Sequence, residues 1–233
     1  MSVEIEVVED PARACSAMLV GAAAGGGHIV LAGGTSPGAA YGAFVDAVRS
    51  VGVDLSGTTF WFGDERCVAP NDERSNYLMV RGTLLDPLGD SSEPIVRRIE
   101  GELGPEQAAE AYERALHEAG DPAFDLLLLG IGPDGHTASL FPDQPSLSVQ
   151  SRLVVGVPEA GLEPFVPRVT FTLPTIGRAK QVVVLATGES KADAVAAAFG
   201  PDAKPDPHVP SSLLPGVARE LTVLLDPAAA SRL

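Results

Sequence analysis

The stretch DGHTAS at 134–139 places His136 in a loop directly after an apolar run, with Asp134 two residues before it and Gly135 between them. A histidine in such a place can serve as a general base near neutral pH, because its unperturbed pKa lies close to it. Most single histidines are structural, but one flanked by Asp134, Gly135 and Thr137 on a loop does not read as core. Three other apolar runs end in comparable polar text: LAGGTSPG (31–38), FGDERCV (62–68) and ATGESK (186–191). Asp64, Glu65 and Arg66 put three charges at the end of one run, more than a turn requires. Arg66 suits bidentate capture of a phosphate, or pairing with a neighbouring carboxylate. Lys191 falls in the first turn of a helix candidate, where a cation opposes the helix dipole, which points to an anion outside the helix.

Two of these loops match familiar patterns, and a proline undercuts each match. Gly34-Thr35-Ser36-Pro37-Gly38 fits the G-x-S-x-G elbow of serine hydrolases. That elbow uses the backbone N–H after the serine to bind an oxyanion, and Pro37 has none. The alternative is that Ser36 caps the following helix, with Pro37 in its first turn. The loop then offers unpaired N–H groups and a positive dipole end to a phosphate. Likewise, Gly130, Gly132 and Gly135 in GIGPDG fit G-x-G-x-x-G, but Pro133 has no N–H to offer a pyrophosphate. Pro142 and Pro145 also stand against a long crossover helix, so NAD is not expected.

These loops need a frame to hold them. Apolar runs at 3–8, 28–32, 58–62, 124–129, 152–157, 181–186 and 221–225 read as strands. Helices are expected at 11–24, 37–50, 76–85, 105–119 and 189–199, the fourth with Ala108, Ala111, Tyr112, Ala115 and Leu116 at helical spacing. Alternating strands and helices, with several strands apolar on both faces, give an α/β fold: one doubly wound, mostly parallel sheet with helices on both faces. No linker or repeat divides the chain, so residues 1–233 are expected to form a single domain. PDAKPDPHVP (201–210) reads as a surface loop. Ligands of such sheets bind beyond the carboxyl ends of the strands, so the four polar loops are expected to share one rim.

Lys and Arg number 16 and Asp and Glu 31, a net charge of −15. A field of that sign repels nucleic acid and anionic membranes, and neither is expected as a partner. It also means that an anionic metabolite must be met by basic residues gathered in one place. Cys15 and Cys67 form no C-x-x-C pair, and the histidines have no local metal-binding spacing. The acidic N-terminal text lacks the basic flank of a signal peptide, and no apolar run is long enough to span a membrane. A cytoplasmic monomer is the expectation.

Taken together, GDERCV…SN (63–76), FDLLLLGIGPDGHTASLFP (124–142), PRVTFTLPTI (167–176) and TGESKADAV (187–195) resemble the 6-phosphogluconolactonases of the glucosamine-6-phosphate isomerase/6-phosphogluconolactonase family. The resemblance covers nearly the whole chain, and its strongest part is DGHTASLFP. It implies hydrolysis of 6-phospho-D-glucono-1,5-lactone to 6-phosphogluconate, with no cofactor and no metal, since a lactone is already an activated ester. It implies His136 as the base, with Asp134 or Asp64 orienting the imidazole. Arg66, Lys191 and Arg168 would hold the 6-phosphate, with N–H groups of Gly34 and Thr35. Gly33, Ser36, Gly132 and Gly135 would complete the substrate-binding loops. One departure is that the family loop more often reads G-G-S-T-P, whereas GGTSPG reverses the Thr-Ser order. The alternatives are a glucosamine-6-phosphate deaminase and a non-catalytic sugar-phosphate sensor. The deaminases place a glutamate five residues after the histidine, and here that residue is Phe141.

Overall fold

TFWF at 59–62 and LLLL at 126–129 have no polar face, so strands made from them must be covered on both sides. Both runs are strands, and every residue in them is buried. The computed structural model describes residues 2–89 and 93–233. Along the chain the first elements are β1 (Ser2–Val7), α1 (Pro11–Ala23), β2 (His28–Leu31), α2 (Thr35–Val51), β3 (Thr59–Phe62) and β4 (Asp64–Arg66). Next come α3 (Asn76–Val80), α4 (Asp86–Leu88), β5 (Ile95–Arg97), α5 (Pro105–Glu118) and β6 (Leu126–Leu129). The last part holds β7 (Val154–Val157), β8 (Arg168–Phe171), α6 (Leu173–Ile176), β9 (Gln181–Ala186), α7 (Ala192–Phe199), α8 (Leu214–Val217) and β10 (Glu220–Leu225).

The main sheet has the order β1-β10-β9-β6-β2-β3-β5, and all its neighbours are parallel. From β2 the chain builds outward through β3 to β5. It then returns to lay β6 on the other side of β2 and builds away through β9 and β10. The direction of winding therefore reverses between β2 and β6, and a crevice opens where it does. The two glycine loops leave these two adjacent strands.

The sheet is not the only one. β4, β8 and β7 form a separate three-stranded antiparallel sheet. The run at 152–157, expected in a single sheet, belongs to this second one. Only Gly63 separates β3 from β4, and its carbonyl accepts from Phe171 N (2.8 Å), so the chain turns off the main sheet at that glycine. Between the sheets Trp61, Tyr112, Phe124 and Phe171 pack ring on ring, with centroids 5.4–6.4 Å apart.

The helix expected at 76–85 is interrupted. Regular turns end at Val80, and Arg81–Leu85 form a wider π-helical turn before α4. Pro87 follows, and it has no N–H to return to Thr83. Among the described residues no helix is long and apolar enough to cross a membrane.

Candidate functional site

A cleft of about 250 Å³ opens at the carboxyl ends of the central strands, just under the usual size of small-molecule sites. Its walls include Gly33–Ser36 after β2, Asp64 and Arg66 in β4, Gly130–Pro133 and His136 after β6, and Lys191 after β9. All four polar loops thus meet at one place, as the sequence predicts.

His136 is held by Asp134. Its Nδ1 lies 2.6 Å from Asp134 Oδ1, and its backbone N donates to the same oxygen (3.2 Å). Burial raises the Asp134 pKa, but the bonds and charge of His136 outweigh it and leave this carboxyl below the ordinary range. An ionised Asp134 accepts from Nδ1, and in the neutral imidazole that arrangement leaves the lone pair on Nε2. Gly132 makes room for the pair: a Cβ there would sit 2.0 Å from His136 Nδ1 and 2.5 Å from Asp134 Oδ1. Gly135 has φ 81°, and its carbonyl accepts from both Ser211 N (2.9 Å) and Ser211 Oγ (2.8 Å). Phe141 lies behind the imidazole, with ring centroids 4.9 Å apart.

Asp64 is committed elsewhere. Its Oδ1 accepts from Asn76 Nδ2 (3.1 Å) and its Oδ2 from Ser139 Oγ (2.6 Å). Of the two carboxylates proposed to orient the base, Asp134 is the one bonded to the ring. Glu65, on the opposite face of β4, accepts from the backbone N–H of Arg66, Asn76 and Tyr77 and from Ser75 Oγ, at 2.7–3.0 Å. That carboxylate fixes the start of α3, and so fixes Asn76. Asn76 in turn lies so close to Gly33 that a Cβ there would be 1.9 Å from Asn76 Oδ1. Gly33 is therefore required for the approach of two chain segments, whatever it does for a ligand.

The opposite end of the cleft is positive. α2 begins at Thr35 with Gly34 (φ 109°) at its N-cap and no side-chain cap, so Ser36 does not cap the helix as expected. Its Oγ is 2.6 Å from Thr187 Oγ1 instead, joining the loop after β2 to the loop after β9. The first-turn N–H groups of α2 have no acceptor within the helix. Lys191 ends a short 3₁₀ turn just before α7, and Gly188 N in that loop is held by the Asp226 carboxylate at 3.0–3.1 Å. Burial lowers the Lys191 pKa, with the charge of Asp134 opposing.

Arg66 and Arg168 face each other across β4 and β8. Like charges in that position repel, and burial together with the charge of Arg66 lowers the Arg168 pKa. Arg66 Nη1 donates to Arg74 O (2.5 Å), while its Nε is buried without a partner. None of the ion pairs among the described residues includes Arg66, Arg168 or Lys191. In a chain with so large an excess of acid, three cations around one cleft that enter none of the described ion pairs suit an anionic ligand.

Asn76, Ser139, Thr187 and Ser211 were not singled out from the sequence. Asn76 lies in the SN that accompanies GDERCV and Ser139 ends DGHTAS, so their segments were legible although their roles were not.

A family model described as glucosamine-6-phosphate isomerases/6-phosphogluconolactonase matches residues 4–223. A 6-phosphogluconolactonase from a Synechocystis strain is 39% identical over 215 residues, covering 90% of this chain and 85% of the relative. The human 6-phosphogluconolactonase is 41% identical over 180 residues, covering 76% and 68%. Among solved structures, the 6-phosphogluconolactonase of Trypanosoma brucei is 29% identical with a TM-score of 0.82, covering 100% of this chain and 99% of its own. A monomeric glucosamine-6-phosphate deaminase reaches a TM-score of 0.86 at 20% identity over the full length of both chains. Backbone shape alone therefore does not separate lactonase from deaminase.

Proposed function

Because the chain belongs to the glucosamine-6-phosphate isomerase/6-phosphogluconolactonase family, we propose that His136 is the general base of the reaction it catalyses. That reaction is hydrolysis of 6-phospho-D-glucono-1,5-lactone to 6-phospho-D-gluconate, the lactone-opening step of the oxidative pentose phosphate pathway. His136 Nε2 takes a proton from water as the oxygen attacks the lactone carbonyl, and Asp134 steadies the imidazolium that forms. Backbone N–H donors of the surrounding glycine loops meet the tetrahedral oxyanion. The ring oxygen then leaves with the proton returned by the imidazolium. Arg66, Arg168 and Lys191 hold the 6-phosphate with the N–H groups of Gly34 and Thr35, while Gly33 and Ser36 shape that loop.

The observation that carries this reading is the His136–Asp134 pair on the same rim as three cations that enter none of the described ion pairs. Phe141 weighs against the deaminase, because an apolar ring packs on the histidine where that chemistry needs an acid. The proposed form is a cytoplasmic monomer.

The test is decay of freshly generated 6-phosphogluconolactone, corrected for spontaneous hydrolysis, with wild type and His136→Ala, each with and without EDTA. Activity that survives EDTA and collapses in His136→Ala is the expected result. A wild type that leaves the lactone untouched would return the deaminase and sensor readings, and a collapse on adding EDTA would overturn the metal-free mechanism.

A further inference from the structure

The loop from Pro158 to Val166 joins β7 to β8 as a strap beside the cleft, and Leu162 and Glu163 line the cleft wall. Its sequence, PEAGLEPFV, has no periodicity to hold it in place, and Phe165 at its tip is 70% exposed. Two side chains tie its backbone down. Gln144 Nε2 donates to Glu159 O (2.7 Å) near its start. Arg168 does the rest: Nε donates to Val166 O (3.1 Å), and Nη2 to Pro164 O (2.7 Å) and Leu162 O (3.4 Å).

A guanidinium has five N–H donors in a fixed plane. Arg168 turns the three on Nε and Nη2 toward the strap, which leaves the two on Nη1 for the cleft that it also lines. The same guanidinium sits 5.9 Å from the ring centroid of Phe141, which packs on His136. The strap touches that ring as well, since a Cβ at Gly161 would be 3.0 Å from Phe141 Cβ. Strap, Arg168, Phe141 and His136 are therefore one contiguous stack. Arg168 itself is only 3% exposed, more deeply placed than a residue that merely collects a phosphate needs to be.

We propose that Arg168 is a positioning residue: by fastening the strap to the phosphate end of the cleft, it sets the wall and the Phe141 platform that hold His136 over the carbonyl. This rests on the lactonase reading above, but goes beyond phosphate binding. A phosphate ligand matters only to a phosphorylated substrate, whereas a positioning residue governs turnover of any lactone in the cleft. Lysine separates the two roles, because it keeps the positive charge but cannot bridge three carbonyls in a plane.

The experiment measures kcat and KM of wild type and Arg168→Lys on 6-phosphogluconolactone and on unphosphorylated glucono-1,5-lactone. Chymotryptic cleavage after Phe165 is followed in the native proteins alongside. Arg168→Lys is expected to lower kcat by roughly tenfold or more on both lactones, the scale of a small misplacement of reacting groups. KM for the phosphorylated lactone is expected to stay within about threefold, since the charge is kept. Cleavage at Phe165 is expected to accelerate while far-UV circular dichroism is unchanged. A rise in KM confined to the phosphorylated lactone, or a fall in kcat without faster cleavage, overturns the proposal.

If Arg168→Lys does not fold, Phe141→Leu carries the test, because it keeps the carbonyl bonds and removes the platform. It should lower kcat on both lactones, and an unchanged kcat refutes the stack. Should wild type hydrolyse neither lactone, the failure lies in the reading of the reaction, and the cleavage rates still decide whether Arg168 holds the strap.

Discussion

His136 Nδ1 lies 2.6 Å from Asp134 Oδ1, whereas the Asp64 carboxylate spends both its oxygens on Asn76 and Ser139. The imidazole is thus oriented by a residue of its own loop. Replacing Asp134 by Asn can keep an oxygen on the His136 backbone N–H and Nδ1, but it removes the negative charge that steadies the imidazolium formed when Nε2 takes up a proton. Asp134→Asn is expected to lower kcat by about 10²–10⁴-fold, with KM little changed, in a steady-state lactonase assay. A full loss in Asp64→Asn with none in Asp134→Asn would show that Asp64, not Asp134, supports the imidazole.

Ser36 has the neighbours of a nucleophile in sequence but not in space. Its Oγ is 2.6 Å from Thr187 Oγ1, and the next residue has no N–H to stabilise an acyl intermediate. Ser36→Ala removes one neutral hydrogen bond between two loops, worth about 0.5–1.5 kcal/mol. The expected result is a KM raised by roughly two- to tenfold with kcat nearly unchanged. Loss of turnover, or a covalent adduct on Ser36 seen by mass spectrometry, would revive the elbow.

What was legible in the sequence follows from the reach of each interaction. Pro37 and Pro133 ruled against two motifs because a missing N–H is a property of the residue itself. The strand runs and α5 were legible because burial on one or two faces leaves a period in the text. The cap assigned to Ser36 failed because Thr187, far along the chain, takes its hydroxyl, and the helix starts two residues earlier than expected. Ser139 and Ser211 could not be assigned from local text, since their partners Asp64 and Gly135 lie 75 and 76 residues away. The second sheet was missed for the same reason: the run at 152–157 read as a strand, but the pairing that draws β4, β8 and β7 into a sheet of their own joins segments about a hundred residues apart in the case of β4 and β8.

Glu65 has a structural task. Its carboxylate accepts three backbone N–H groups and the Ser75 hydroxyl at the start of α3. A glutamine would turn an NH₂ group toward donors and leave at least one of them buried without an acceptor. Glu65→Gln is expected to cost about 2–4 kcal/mol, read as a lower urea midpoint with the slope preserved. Because Asn76 starts α3 and packs on Gly33, the folded fraction of this variant should also bind 6-phosphogluconate more weakly. An unchanged midpoint would mean that the four bonds contribute nothing net.

As a phosphate partner, Lys191 would give the site a pH dependence whose sign follows from its burial. Burial lowers the pKa of this ammonium from its usual 10.5, although the charge of Asp134 pulls it back. As pH rises, Lys191 therefore loses its charge before an ordinary lysine would, and the phosphate loses a partner. A bound phosphate favours the ammonium, so ligand binding raises this pKa and draws in a proton at pH values between the two. Titration calorimetry with 6-phosphogluconate, from neutral pH to about pH 10, avoids the alkaline decay of the lactone. Affinity is expected to fall across that range, with proton uptake visible as a dependence of the heat on the buffer. Lys191→Arg keeps its charge throughout, and should bind with an affinity that stays flat. If wild type were equally flat, Lys191 would not be holding the phosphate, and Arg66 and the N–H groups of Gly34 and Thr35 would have to account for anion binding without it.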